Sequence, residues 1–214
     1  MRLQRSIASA GMAFEIYFKT YFMKKIIPYF LIGVFNFSFL QINAQHAIGI
    51  KAGVNIASLS EFTGRSRISG HGGLFLHHTI NKNWCIQPEL LYSGEGQRYF
   101  SDGVEHTLAL DYLQFPVMIQ YYPVPNIYLE AGPQFGVLLS ARDKVEGIDE
   151  SHINIKEDFS SGQIALGVGA GLKVTEQIIL YGRYNFGLTD VTRFDNIVDK
   201  SNVGQLGVAL RFHR

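Results

Sequence analysis

A strict alternation of residue types, apolar and then small or polar, runs from Ala47 to Phe212 and constrains the fold more than any other feature. The apolar positions of its first segment are Ile48, Ile50, Ala52, Val54 and Ile56. Because successive side chains of a β-strand point to opposite faces, this period predicts strands with one apolar face and one small or polar face. The chain is therefore expected to be all-β.

Eight segments of about 10 residues each carry this alternation. They cover residues 47–57, 70–80, 84–93, 110–121, 127–139, 162–174, 178–188 and 203–212. The connections between them alternate in length: three are short (81–83, 122–126 and 175–177), and four are long (58–67, 94–107, 140–161 and 189–202). Short and long connections at opposite ends are typical of an eight-stranded up-and-down antiparallel barrel.

The composition of the two faces indicates which of them meets lipid. The polar face of the clean segments carries only six charged residues: Lys51, Glu89, Glu130, Lys173, Arg183 and Arg211. A surface in water would be about 25–35% charged. The apolar face is nearly free of charge, and Asp111 is placed at the loop end of its segment. This favours a transmembrane β-barrel with its polar face inside, over a soluble carrier of the lipocalin type.

We expect the polar face to form a hydrogen-bonded and ion-paired network inside the barrel. An eight-stranded barrel is just wide enough to be filled by its own side chains or to hold one small ligand. The expected network consists of Lys51, Glu89, Gln114, Gln120, Glu130, Gln134, Gln163, Lys173, Arg183 and Arg211. The pattern does not specify which residues pair. It predicts a plugged interior, and a narrow, low-conductance channel lined by the same groups is the alternative.

Aromatic side chains are expected to form girdles at the two membrane–water interfaces, where their rings are favoured. Those near the short-turn end are Trp84, Tyr121, Tyr122 and Phe212, and those toward the long-loop end are Tyr92 and Phe186.

The segment before the barrel is predicted to be a signal for export. In residues 23–45, Lys24 and Lys25 precede an apolar stretch that ends at Leu40, and a short polar stretch follows. These are the parts of a cleavable signal peptide, although an uncleaved anchor is the alternative. Residues 1–22 precede a second Met and are expected to be an over-called extension, which leaves residues 46–214 as the barrel domain.

Charge and reactive residues argue against several classes of function. A net charge of +1 does not favour a nucleic-acid partner, and a single Cys excludes a metal site built from several cysteines. His77 and His78 are adjacent on a strand and point to opposite faces, so they do not predict a metal site. Ser66, Ser69 and His71 lie close in sequence, but no acid completes a catalytic set. We expect no enzyme, no cofactor and no metal.

Several runs resemble the small porin-family outer-membrane β-barrel proteins of Gram-negative bacteria, with an OmpX/OmpA-like eight-stranded barrel. The similar runs are Asn43–Gln45, Gln87–Tyr92, Tyr112–Pro116, Leu129–Gln134 and Arg183–Thr189. The resemblance implies an outer-membrane location with both barrel termini in the periplasm, and contact with outer-membrane lipids, lipopolysaccharide and the barrel-insertion machinery. It is compatible with a structural or surface-interaction role through the long loops, whose partner is unknown. The alternatives are a narrow porin for small polar solutes and a lipid-modifying enzyme.

Overall fold

The computed structural model describes residues 46–60, 64–101, 103–145, 152–191 and 199–212. The predicted extension and signal peptide lie outside these residues. The strands are β1 (His46–Leu59), β2 (Arg65–Thr79), β3 (Trp84–Ser101), β4 (Val104–Val124), β5 (Ile127–Val145), β6 (His152–Asn154), β7 (Gly162–Lys173), β8 (Ile178–Gly187) and β9 (Ser201–Phe212). A short 3-10 turn spans Lys156–Asp158. In these ranges no helix is long and apolar enough to span a membrane.

Eight of the strands close into an up-and-down antiparallel barrel, as the sequence predicts. Sequential neighbours pair from β1 to β5, β5 pairs with β7, and β9 returns to pair with β1. Closure removes the exposed strand edges that an open sheet would present. The one described strand outside the barrel wall, β6, pairs only with the loop end of β5, at Arg142, Asp143 and Lys144.

The prediction of a loop at 94–107 is wrong, because β3 and β4 continue through these residues as a paired hairpin. Their register runs without a break from Gly94↔Asp111 to Ser101↔Val104. Gly103 takes a φ of 80° in the tight turn, a conformation that glycine adopts without strain. The apolar alternation stops earlier because strands that leave the bilayer no longer need a lipid-facing side, although their backbone hydrogen bonds continue.

The two faces of the barrel wall differ sharply in exposure. On β9, Gln205 is 3% exposed and its neighbour Leu206 is 65% exposed. The outward side chains form an apolar belt that continues across all the barrel strands. Two buried apolar clusters fill the ends of the interior: an aromatic-rich one at the short-turn end, with Phe75, Cys85, Tyr122, Tyr128, Ile179, Tyr181 and Ala209, and one at the loop end, with Leu59, Leu108, Leu110, Tyr112, Leu138, Ala141, Phe159 and Val191.

Candidate functional site: the barrel interior

An ion-paired layer crosses the interior between the two apolar clusters. The Nζ of Lys51 lies 3.0 Å from Oε1 of Glu89. The guanidinium of Arg183 donates two bonds to the same carboxylate, from Nη1 to Oε2 at 2.9 Å and from Nη2 to Oε1 at 2.8 Å. This two-point geometry is the strongest form of arginine–carboxylate pairing. Glu89 is thus held by two cations.

Arg183 also joins Glu89 to a second carboxylate. Its Nε donates to Oε1 of Glu130 at 2.7 Å. The other oxygen of Glu130 accepts a bond from the amide of Gln120 at 3.0 Å, and the Gln120 carbonyl accepts one from the Tyr122 hydroxyl at 3.1 Å. Two cations and two carboxylates therefore balance within one connected group. Removing charges from water is tolerated only when they are paired and hydrogen-bonded in this way.

Neutral side chains complete the ion-paired layer. The amide of Gln87 donates to Oε1 of Glu89 at 2.8 Å. The ammonium of Lys51 lies 3.9 Å from the centre of the Tyr181 ring, a cation–π contact. The charged side chains of the layer are almost fully enclosed. Lys51, Glu89, Glu130 and Arg183 with these partners are called the ion-paired plug below.

A second polar cluster lies farther along β3, around Glu95. Its carboxylate accepts bonds from the amides of Gln114 at 2.7 Å and Gln163 at 3.2 Å, and from the Ser201 hydroxyl at 2.6 Å. Ser93 is a weaker donor at 3.5 Å. Among the described residues, no Lys or Arg forms an ion pair with Glu95. This carboxylate, buried to 1% exposure, is held by neutral donors alone.

The ten residues expected to form one interior network fall into separate groups. Lys51, Glu89, Gln120, Glu130 and Arg183 belong to the ion-paired plug, whereas Gln114 and Gln163 bind Glu95. Gln134 is buried, but its Oε1 has no hydrogen-bond partner within the described ranges. Lys173 and Arg211 are half-buried toward the short-turn end, where the ammonium of Lys173 lies 4.2 Å from the Tyr122 ring centre.

Sequence reasoning missed Glu95 and a histidine-centred chain. Glu95 shares its strand parity with Glu89, a signal that extends beyond the predicted end of that segment. Nδ1 of His71 lies 2.6 Å from Oδ1 of Asn55, and Nε2 lies 2.5 Å from the Tyr181 hydroxyl. Both ring nitrogens of His71 are therefore engaged within the barrel, and the Ser69 hydroxyl instead donates to the Gly94 carbonyl at 2.6 Å.

Five of the six predicted girdle aromatics project outward, and Tyr122 does not. The outward residues are Trp84, Tyr92, Tyr121, Phe186 and Phe212. The rings of Trp84 and Tyr121 lie 4.9 Å apart on neighbouring strands. Tyr122 is 5% exposed and packs against Tyr128 inside the barrel, so its assignment to the girdle is wrong. The strand β4 continues past this residue, and Tyr122 must then face away from Tyr121.

A smaller cluster joins the paired extensions of β3, β4 and β5 near the loop end. The Tyr99 hydroxyl donates to Oδ2 of Asp143 at 2.8 Å, and Nδ1 of His106 lies 3.1 Å from the same oxygen. The rings of Tyr99 and His106 stack with their centres 5.1 Å apart. These contacts connect the hairpin formed by the loop ends of β3 and β4 to β5.

An apolar outer belt around an enclosed polar interior defines a transmembrane β-barrel. The chain matches the family model described as outer membrane protein beta-barrel domain over residues 39–193 and belongs to that family. Its place is accordingly the bacterial outer membrane. A search of curated proteins found no significant match.

The solved structures to which the chain is similar share little sequence with it. Ail, the attachment invasion locus protein of Yersinia pestis, is 13% identical with a TM-score of 0.49, over 78% of this chain and 99% of that one. Neisserial surface protein A is 17% identical with a TM-score of 0.46, over 79% and 97% of the two chains. The N-terminal barrel of Pseudomonas aeruginosa OprF is 12% identical with a TM-score of 0.41, over 79% and 100%.

Proposed function

We propose that the protein is a closed outer-membrane barrel that acts through its outer surface, with neither a conducting pore nor an enzymatic activity. The observation that carries this proposal is the placement of Arg183 between Glu89 and Glu130, with Lys51 as a second cation on Oε1 of Glu89. A solute that passed through would have to separate these pairs. Separation leaves buried charges without partners, which costs several kcal/mol.

The apolar clusters at both ends support the same proposal. Phe159 and Val191 come from the connections at the loop end and pack against barrel residues such as Leu110. At the other end, Tyr122 and Tyr128 lie in contact with ring centres 5.4 Å apart. Apolar packing at the two ends and paired charges between them leave the outer loops and the outer wall as the surfaces available for partners.

The proposal includes an orientation. The first barrel strand begins at His46 and the last one ends at Phe212, both at the short-turn end. In outer-membrane barrels the short turns face the periplasm and the longer loops face outside. We therefore place both termini in the periplasm after export and insertion, in contact with lipid and lipopolysaccharide across the bilayer. The longer connections then face the medium, where an external partner would bind.

Planar-bilayer conductance tests closure. We expect the refolded wild-type chain to be silent. A variant with Ala at Lys51, Glu89, Glu130 and Arg183, and also at Tyr122, Tyr128, Leu110 and Phe159, removes every charge of the plug together with large side chains of both apolar clusters and should give steady, salt-dependent current. A matched variant with Met at the two basic positions and Leu at the two acidic ones fills the same space and should remain silent. Different migration of boiled and unboiled samples in detergent gels would show that each variant folds.

Steady wild-type current similar to that of the Ala variant would refute closure. It would favour the second candidate, a narrow pore for small polar solutes. One observation favours this candidate: within the described ranges, amide atoms of Gln97, Gln134, Asn185 and Gln205 are buried without hydrogen-bond partners. Water is the usual partner of such groups. Incubation with acyl-labelled lipid A tests the absence of catalysis, and release or transfer of acyl chains would contradict it.

A further inference from the structure

The barrel wall is interrupted between β2 and β3 near the loop end. Ser66 pairs with Gln97 and His71 pairs with Ser93, and between these pairs β2 has one residue more than β3. Such a bulge breaks the ladder of backbone hydrogen bonds. Side chains from β2 bridge the interruption: the guanidinium of Arg67 donates to the Glu95 carbonyl, and Ser69 donates to the Gly94 carbonyl.

A recess of about 420 Å³ lies at this interruption, lined by Arg67, Ile68, Ser69, Gly70, Tyr92 and Asp111 among others. It opens on the outer wall, since Ile68 is 67% exposed and Tyr92 also projects outward. Gly70 keeps it open: a Cβ at this position would have Gly53 O, at 3.7 Å, as its nearest neighbour. A Cβ is therefore accommodated at this position, and a larger side chain would extend from it into the recess.

Positive charge exceeds negative charge around this recess. Asp111 attracts Arg67, whereas Arg98 and Arg142 repel it. Glu105 lies 3.9 Å from Arg98, so three cations stand against two acids in this group. The Asp111 carboxylate is shared, since it lies 3.2 Å from Nη2 of Arg142 and accepts a hydrogen bond from Tyr92. Among the described residues Arg67 forms no ion pair within 4.0 Å. An added anion would reduce the repulsion among these guanidinium groups.

The recess lies at the edge of the apolar belt. On β3 the continuous run of outward apolar residues ends at Tyr92, and the next one, Phe100, lies eight residues farther along; on β5 the run ends at Leu139. Arg67, Asp111 and Arg142 come next toward the loop end on their strands. An aromatic residue followed by cations marks the depth at which lipid headgroups meet the hydrocarbon.

We propose that this recess binds a phosphate group of an outer-leaflet lipid, with Arg67 as the principal donor. The guanidinium presents several N–H groups in a plane that matches the oxygens of a phosphate. The neighbouring Ile68 and Tyr92 provide apolar surface for the adjoining acyl chains. The site lies on the outer wall, so it does not depend on whether the interior conducts, but it rests on the proposed orientation, in which the loop end lies at the outer leaflet.

Binding of lipid A to the full mature chain in mixed detergent micelles, followed by native mass spectrometry, tests this site. Lipid A with both phosphates is compared with lipid A from which the phosphates have been removed. We expect the wild-type chain to bind the phosphorylated form at least tenfold more tightly, a difference of about 1.4 kcal/mol. Arg67→Gln should lose most of this preference, and Gly70→Leu should lose it by filling the recess.

Lys200→Gln is the matched control, since it removes one positive charge at the same end of the barrel, next to β9 and away from the recess. It should bind like the wild type. Heat-dependent migration verifies that each variant folds, and Gly70→Leu tests the recess with the Arg67 bond to β3 retained. Equal wild-type binding of the two lipids, or an equal loss in Lys200→Gln, would overturn the proposal, as would wild-type binding by folded Arg67→Gln and Gly70→Leu.

Discussion

Two glutamates on the same face of β3, Glu89 and Glu95, are both buried but are stabilised in different ways. Glu89 faces two cations, Lys51 and Arg183, at hydrogen-bonding distance. Glu95 is surrounded by amides and hydroxyls, with a hydroxyl of Ser201 at 2.6 Å. This interior compensates charge with charge near the middle of the barrel and with neutral dipoles closer to the loop end.

The two regions are expected to differ in the cost of removing one charged group. At the ion-paired plug, removal of one member leaves other charges without a partner inside the barrel. Around Glu95 every side-chain donor among the described residues is neutral, so removal of the carboxylate charge leaves dipoles that can reorient. Substitutions of similar size are therefore expected to differ strongly in cost between the two regions.

The largest effect is expected for Arg183→Met. This change leaves Glu89 and Glu130 with Lys51 as the one remaining cation of the plug. Loss of one partner of a buried ion pair costs about 3–5 kcal/mol. Urea unfolding in lipid vesicles should show a reduction of this size in the free energy of unfolding. A reduction below about 1 kcal/mol, the range of an exposed pair, would mean that the plug is hydrated.

Glu89→Gln should cost somewhat less, about 2–3 kcal/mol, because Lys51 and Arg183 then share Glu130 and the new amide still accepts one hydrogen bond. The same unfolding experiment measures it. Addition of Lys51→Met to this variant should recover part of the loss, because one unpaired cation disappears. Additive losses in the double variant would contradict a coupled group.

Glu95→Gln tests the other side of the comparison and should change the free energy of unfolding by less than about 1 kcal/mol. The amide loses the stronger bonds of a charged acceptor but avoids the cost of burying that charge. The informative quantity is the ratio of the two losses in the free energy of unfolding, for Glu95→Gln and for Glu89→Gln. Equal losses for the two substitutions would show that the neutral donors around Glu95 stabilise its charge as much as the cations around Glu89 stabilise that of Glu89.

The smallest change in the free energy of unfolding is expected for Arg98→Gln, in the hairpin formed by the loop ends of β3 and β4. Nη1 of Arg98 lies 3.9 Å from Oε1 of Glu105, and the arginine side chain is 48% exposed. Exposed pairs of this kind contribute about 0–1 kcal/mol. A loss comparable to that of Arg183→Met, in the same unfolding assay, would show that burial does not govern the strength of ion pairs in this protein.

The alternation of the sequence was sufficient to predict the barrel and the side on which Lys51, Glu89, Glu130 and Arg183 lie. It could not predict their pairing. Glu89 and Arg183 are 94 positions apart, and their contact depends on how the strands are staggered around the barrel. Stagger is a property of the closed wall as a whole and leaves no local trace in the sequence.

The errors arose at the ends of strands. The apolar alternation weakens at Glu95 and predicts a loop there, although the backbone pairing continues. The two prolines after Tyr122 indicate a turn that begins at this residue, although β4 runs to Val124. In both cases side-chain composition reports the solvent around a strand, whereas the strand itself is maintained by backbone hydrogen bonds.

The apolar face of the strands contacts lipid, and the ionic face is enclosed. Trp84 is the only Trp, so Leu206→Trp in a Trp84→Phe background places one fluorophore on the exposed face of β9. In vesicles containing lipids brominated near mid-chain, we expect strong quenching of this Trp. A Trp at Lys200, outside the belt, should be quenched weakly. Unquenched emission from position 206 in the folded protein would contradict the claim.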